Sequence, residues 1–156
     1  MPDAAGTQNA SSARMLIDAA TDLLGRVPWS LHQLLFRVAI ASVFLPAGLL
    51  KLASWESTIA LFQDEYKVPL LPPVIAATMA TTFELGCSSL LIAGLATRLA
   101  TLPLLGQIAT IQLFVYPQAW HEHLVWASIL LFVLTRGGGT ISADHLLYRW
   151  FGLRSS

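Results

Sequence analysis

The stretch 78–98, TMATTFELGCSSLLIAGLATR, constrains this chain more than any other. It is an apolar run of helical length with one ionisable residue, Glu84, near its middle. If it crosses a bilayer, Glu84 stands where a charged side chain costs from about 3 to over 10 kcal/mol, depending on the scale. A carboxylate persists there only if it is neutral, paired, or turned toward a polar interior. The sequence therefore poses one question first: what does Glu84 face?

The rest of the chain favours the membrane. Of its 156 residues, 55% are hydrophobic and only 12% are charged, against about 25% charged in soluble domains. That leaves too little polar surface to cover a water-soluble globule; a very apolar soluble bundle that needs a partner is the alternative. The formal net charge is zero, so electrostatics make no case for nucleic acid. The lone Cys87 excludes an internal disulfide, a CxxC redox pair and a cysteine zinc site. In a lipid-buried helix it reads as a small packing residue. The first thirty residues lack the basic start, apolar middle and small-residue cleavage site of a secretory signal.

Four apolar segments, 31–53, 73–96, 99–116 and 120–135, lie near the roughly 20 residues that a spanning helix needs. The fourth is the shortest and is expected to run tilted or to begin in the headgroup layer. The expected fold is all-α: an integral membrane four-helix bundle over 29–136. Residues 1–28 form a tail, disordered through Ala13, with an interfacial helix around Met15, Leu16, Leu23 and Leu24. Residues 137–156 carry a second interfacial helix with Ser142 as N-cap and Leu146, Leu147, Trp150 and Phe151 on its apolar side. Arg14, Arg26, Arg98, Arg136, Arg149 and Arg154 all fall on one side of this topology, so both termini are expected to be cytoplasmic. The loop 54–72 then faces outward. Its pattern fits either a surface lid or a plain re-entrant connector.

Each of three spans carries one polar residue to a similar expected depth: Arg37, Glu84 and Gln107. Small or polar residues share their stripes, including Ala41, Gly48 and Lys51 beside Arg37, and Thr81 and Ser88 beside Glu84. An Arg37–Glu84 pair helped by Gln107 is the expected polar centre, with Lys51 in support. Three roles stay open for it. It fixes helix register, it floors a pocket for a quinone-like or other small amphipathic ligand, or Glu84 relays protons. His121 and His123 flank Glu122, but residues two apart on a helix point to nearly opposite sides. They are weak candidates for a metal, and none is expected.

Four pieces then add up. RVAIASVFLPAGLLKL with Arg37, Gly48 and Lys51, FELGCSSLLIAGLATR with Glu84, Gly94 and Arg98, HLVWASILL, and GGGTISADHLL with Asp144 together resemble the DoxX family, over roughly 36–147. The stretches ALFQDEYKVPLLPP and IQLFVYPQAWHEH are similar to a bacterial branch found beside genes for metal-binding peptides. The resemblance implies a four-helix bacterial inner-membrane protein of a mostly uncharacterised family. Its relatives include the small subunit of thiosulfate:quinone oxidoreductase and members linked to oxidative-stress complexes. Expected from it are a membrane subunit or anchor in a redox or stress-related system and contact with the lipid bilayer. Redox or stress-related protein partners or a homo-oligomer, and quinone as the one candidate cofactor, follow from the same source. A quinone-interacting oxidoreductase subunit, or a metal-stress or transport component, are the alternatives. One cysteine, no haem-ligand pair and no flavin motif argue against catalysis by this chain alone. Arg37, Lys51, Glu84, Arg98 and Gln107 are the candidate site residues.

Overall fold

Prolines and glycines punctuate a chain that is otherwise nearly all helix-forming. The computed structural model describes residues 4–152, with side-chain surroundings from 14 to 152. Helix α1 runs Ala4–Gly25. After extended Pro28, α2 runs Trp29–Ala53. A short α3, Trp55–Leu61, continues as a π-helical turn, Phe62–Tyr66. Pro73, whose missing N–H is harmless at a first helical position, opens α4, Pro73–Ala93. Helix α5, Thr97–Thr110, also ends in a π-helical turn, Ile111–Val115. Then come α6, Trp120–Arg136, and α7, Ala143–Trp150. No strand occurs among the described residues.

Among the described residues, three helices are long and apolar enough to cross a membrane: Trp29–Ala53, Pro73–Ala93 and Thr97–Val115. Helix α2 packs on α4 and α6, and α5 packs on the same two, so the contacts close into a ring. The main core, with Ile40, Phe44, Leu91, Leu104, Leu130 and Val133, fills the ring toward the start of α2. Cys87 belongs to it, buried. A second, smaller core of Phe62, Ala76 and Ala77, with Trp55, Tyr66 and Val68 against it, forms where α3 folds over α4.

One expectation needs correction. The tail is not disordered through Ala13, because the backbone is helical from Ala4 onward; Met1, Pro2 and Asp3 lie outside the described residues. Small, helix-compatible residues such as Ala4, Ala5 and Ala10 extend the helix that Met15–Leu24 begin. The connector 54–72 is itself largely helical through Tyr66, turning only where Lys67 and Leu70 take positive φ, 42° and 70°. The C-terminal helix starts as its sequence reads: the Ser142 hydroxyl accepts the His145 N–H at 3.2 Å.

Candidate functional site

The site begins with a glycine. At Gly48, α2 comes so close to α4 that an added Cβ would lie 3.0 Å from the Cβ of Glu84 and 2.9 Å from the Leu85 side chain. Close approach at a small residue is the usual way helices pack in lipid. It sets Gly48 level with Glu84 and places Lys51, almost one turn on, above the carboxylate. Lys51 Nζ donates to both Glu84 oxygens, each at 2.8 Å. From α5, Gln107 Nε2 donates to Glu84 Oε1 at 2.5 Å. Glu84 is buried and Lys51 nearly so, with 4% and 17% of their side chains exposed. The carboxylate thus faces a cation and an amide, and three helices are tied at one point.

Arg37 does not take part. It is wholly buried, but its Nη1 donates to Leu91 O at 3.3 Å and its Nη2 to Ile141 O at 2.5 Å. The expected Arg37–Glu84 pair is therefore replaced by Lys51–Glu84. The depth estimate failed because it took the span ends as level. Helix α2 overhangs α4: Arg37, eight residues or about 12 Å from Trp29, is level with the last turn of α4. There a guanidinium is well placed, since the final carbonyls of a helix lack intrahelical donors and carry its negative dipole end. Gly94 completes the arrangement. Its φ of +70° ends α4, and a side chain there would run into Arg37 Nη1 and Ser142.

Asp144 locks the same end. Its Oδ1 accepts from Ala96 N at 2.7 Å, and its Oδ2 accepts from Thr97 N at 2.9 Å and Thr97 Oγ1 at 2.8 Å. Helix α5 has no side-chain cap of its own at Ala96, so a residue of α7 supplies one. Arg98 lies beyond this junction, exposed, on a separate cavity. It shares nothing with Glu84.

Above the Lys51–Glu84–Gln107 cluster is a cavity of about 530 Å³, within the usual range for small-molecule sites. Its walls are mostly apolar and aromatic, with Phe44, Phe62, Phe83 and Trp126 prominent, and the turn carrying Tyr66 and Val68 roofs it. The roof is fastened to α5. Tyr116 donates its hydroxyl to Glu65 and meets Tyr66 edge-on at 5.7 Å. That hydrogen bond raises the Tyr116 phenol well above its ordinary range, with burial adding to the effect. Both π-helical turns border the cavity, as such turns often border functional sites.

The floor keeps hydrogen-bonding capacity in reserve. Gln107 Oε1 is buried without a partner. Lys51 uses two of its three ammonium hydrogens on Glu84. On the wall, buried His123 meets Gln112 Oε1 through Nδ1 at 2.7 Å, while Gln112 Nε2 donates to Pro117 O at 2.9 Å. Because that amide oxygen must accept, His123 donates to it through Nδ1. His121 is exposed, its ring tilted against Trp120 at 4.1 Å, whereas His123 is buried, so the two histidines diverge. No group of three or more potential metal ligands occurs among the described residues.

Sequence reasoning missed the Lys51 partnership, the inward-facing His123 and the capping role of Asp144. Asp144 had a visible cue as part of the tail motif, and Lys51 had one in sharing a stripe with Gly48.

The described residues are all-helical, and their three apolar, span-length helices around a charged cluster are the mark of a membrane protein. The chain belongs to the DoxX family, whose model matches residues 32–117, more than half of its length. The matched stretch takes in Arg37, Lys51, Glu84, Arg98 and Gln107, and stops before α6. No curated protein matches the chain, and no solved structure does.

Proposed function

We propose that this chain crosses a bacterial inner membrane four times, α6 being the fourth and shortest span, with both ends in the cytoplasm. It acts there as the membrane subunit of a redox or stress-related system, and the cavity over Glu84 receives the ring of a quinone-like molecule. The observation that carries the ligand reading is the unpartnered, buried Gln107 Oε1 beside a partly unspent Lys51 ammonium, inside an aromatic-lined cavity. A buried polar atom without a partner costs about 1–3 kcal/mol, and a purely structural ion pair has no need of it. Carbonyl oxygens of an oxidised ring would accept from Lys51 or the second Gln107 N–H. A hydroxyl of a reduced ring would donate to Gln107 Oε1. The aromatic walls would hold the ring, and the redox centre would belong to a partner. A chain with one buried cysteine carries no thiol couple of its own.

The test is titration of the full chain in nanodiscs with a short-chain benzoquinone, read by quenching of tryptophan, since Trp126 borders the cavity. Gly106 also lines it, and an added Cβ there meets nothing within 4 Å. Gly106→Leu should therefore add bulk at the edge of the cavity without disturbing the fold. Saturable quenching is expected for the natural chain, weakened about tenfold or more by Gly106→Leu and by Glu84→Gln. Quenching that does not saturate, or that Gly106→Leu leaves unchanged, contradicts the reading.

A further inference from the structure

We infer that the opposite end of the molecule holds a second binding site, for the phosphate oxyanion of an anionic phospholipid headgroup, between Arg98 and Arg136. Arg98 is in the first turn of α5 and Arg136 is the last residue of α6. The two helices pack on each other, so both guanidiniums come to one cavity of about 520 Å³, which Ser30, Gln33, His145 and Tyr148 also line. Among the described residues, neither arginine side chain meets a carboxylate within ion-pair distance or donates a hydrogen bond; the one ion pair found is Lys51–Glu84. The carboxylate on this wall, Asp144, has both oxygens engaged by the start of α5. The arginines are left for something outside the chain.

The surroundings are built rather than accidental. Gln33 Nε2 holds Arg136 O at 2.9 Å, and Ser30 Oγ and Thr140 Oγ1 bond at 2.6 Å, so the start of α2 pins the glycine loop. Gly137 has φ +73°, and a Cβ there would approach Arg98 Nε to 3.3 Å. The loop is shaped to let that guanidinium lie across it. Two planar forks can each grip a phosphate through paired N–H groups, which an ammonium cannot do. What decides for a lipid over a free anion is the apolar edge beside the cavity. Helix α7 lines the cavity with His145 and Tyr148, and its Leu146 and Trp150, with Phe151 just after it, are 65%, 88% and 69% exposed, a surface suited to acyl chains. Basic pockets between membrane helices at this level commonly take anionic headgroups. This site does not depend on the quinone reading, but it rests on the proposed topology, which puts this end at headgroup depth.

The test is native mass spectrometry of the full chain released from nanodiscs of phosphatidylcholine, alone or doped with phosphatidylglycerol. The natural chain should retain phosphatidylglycerol in preference to phosphatidylcholine. Arg98→Gln and Arg136→Gln should each lower retention about fivefold. Arg98→Lys, which keeps charge but loses the fork, should fall between. Arg149→Gln, an exposed arginine outside the cavity, should change little. Unchanged retention in the Arg98→Gln/Arg136→Gln double variant would overturn the inference. So would an equal loss with Arg149→Gln, or thermal stabilisation by inorganic phosphate as large as that by phosphatidylglycerol.

Discussion

Lys51 Nζ lies 2.8 Å from each carboxylate oxygen of Glu84, and the contact exists because Gly48 lets α2 lie against the Cβ of that residue. An isolated charge at this position in α4 would be among the costliest residues a membrane helix can carry. Paired with an ammonium and an amide, it becomes an anchor for three helices. The same register decides the fate of Arg37. Arg37 and Gly48 are eleven residues apart, about 16 Å along the axis, so the guanidinium serves the far end of α4 instead. The molecule thus separates its polar residues into two layers, one under a roofed cavity and one at the arginine-bearing end.

Replacing Arg37 by Lys should be destabilising even though the charge is kept. The guanidinium reaches Leu91 O and Ile141 O through two nitrogens, and a single ammonium cannot serve both. A loss of about 1.5–3 kcal/mol is expected in thermal unfolding in detergent. It should come with faster proteolysis in the glycine loop 137–139, since Ile141 O is the tie that holds the following segment.

Asp144→Ala removes three acceptor contacts from the start of α5, and a loss of about 1.5–3 kcal/mol is expected. Asp144→Asn keeps one amide oxygen and should lose less. Unfolding midpoints of the two variants provide the check, and an equal loss in both would mean that the carboxylate's charge and second oxygen contribute nothing.

The roof should respond to alkaline pH. The Tyr116 phenol is raised above its ordinary value, about 10, chiefly by its hydrogen bond to Glu65. A raised folded-state value means that the contact contributes fully below about pH 10 and is lost as pH climbs through the elevated value. Hydrogen exchange at the amides around Glu65 should therefore hold steady from neutral pH to about pH 9, after correction for base catalysis, and accelerate at higher pH. Tyr116→Phe should show about fivefold faster exchange already at neutral pH.

The elements that the sequence displays well are those written in hydropathy. The segments expected at 31–53, 73–96, 99–116 and 120–135 correspond to α2, α4, α5 with its π-helical turn, and α6, with no end displaced by more than three residues. Glu84 stands out for the same reason, as a single charge in an apolar run. What the sequence conceals is relative height. Nothing in the string says that α2 begins about two turns beyond the end of α4, so Arg37 looked like the partner and Lys51 like an accessory. His123 shares the inner face of α6 with Leu130 and Val133; what the sequence hides is its partner, Gln112, which projects from a π-helical turn. Asp144 caps a helix far away in sequence, and a cap of that kind leaves no local spacing to read.

The decisive measurement is a pair of double-mutant cycles on the unfolding free energy in detergent, Lys51→Met with Glu84→Gln and Arg37→Met with Glu84→Gln. Groups in contact couple by about 0.5–3 kcal/mol, whereas distant ones add to within about 0.5 kcal/mol. The account predicts clear coupling, about 1 kcal/mol or more, for Lys51 with Glu84, and additivity for Arg37 with Glu84. Additivity in the first cycle, or stronger coupling in the second than in the first, would contradict it.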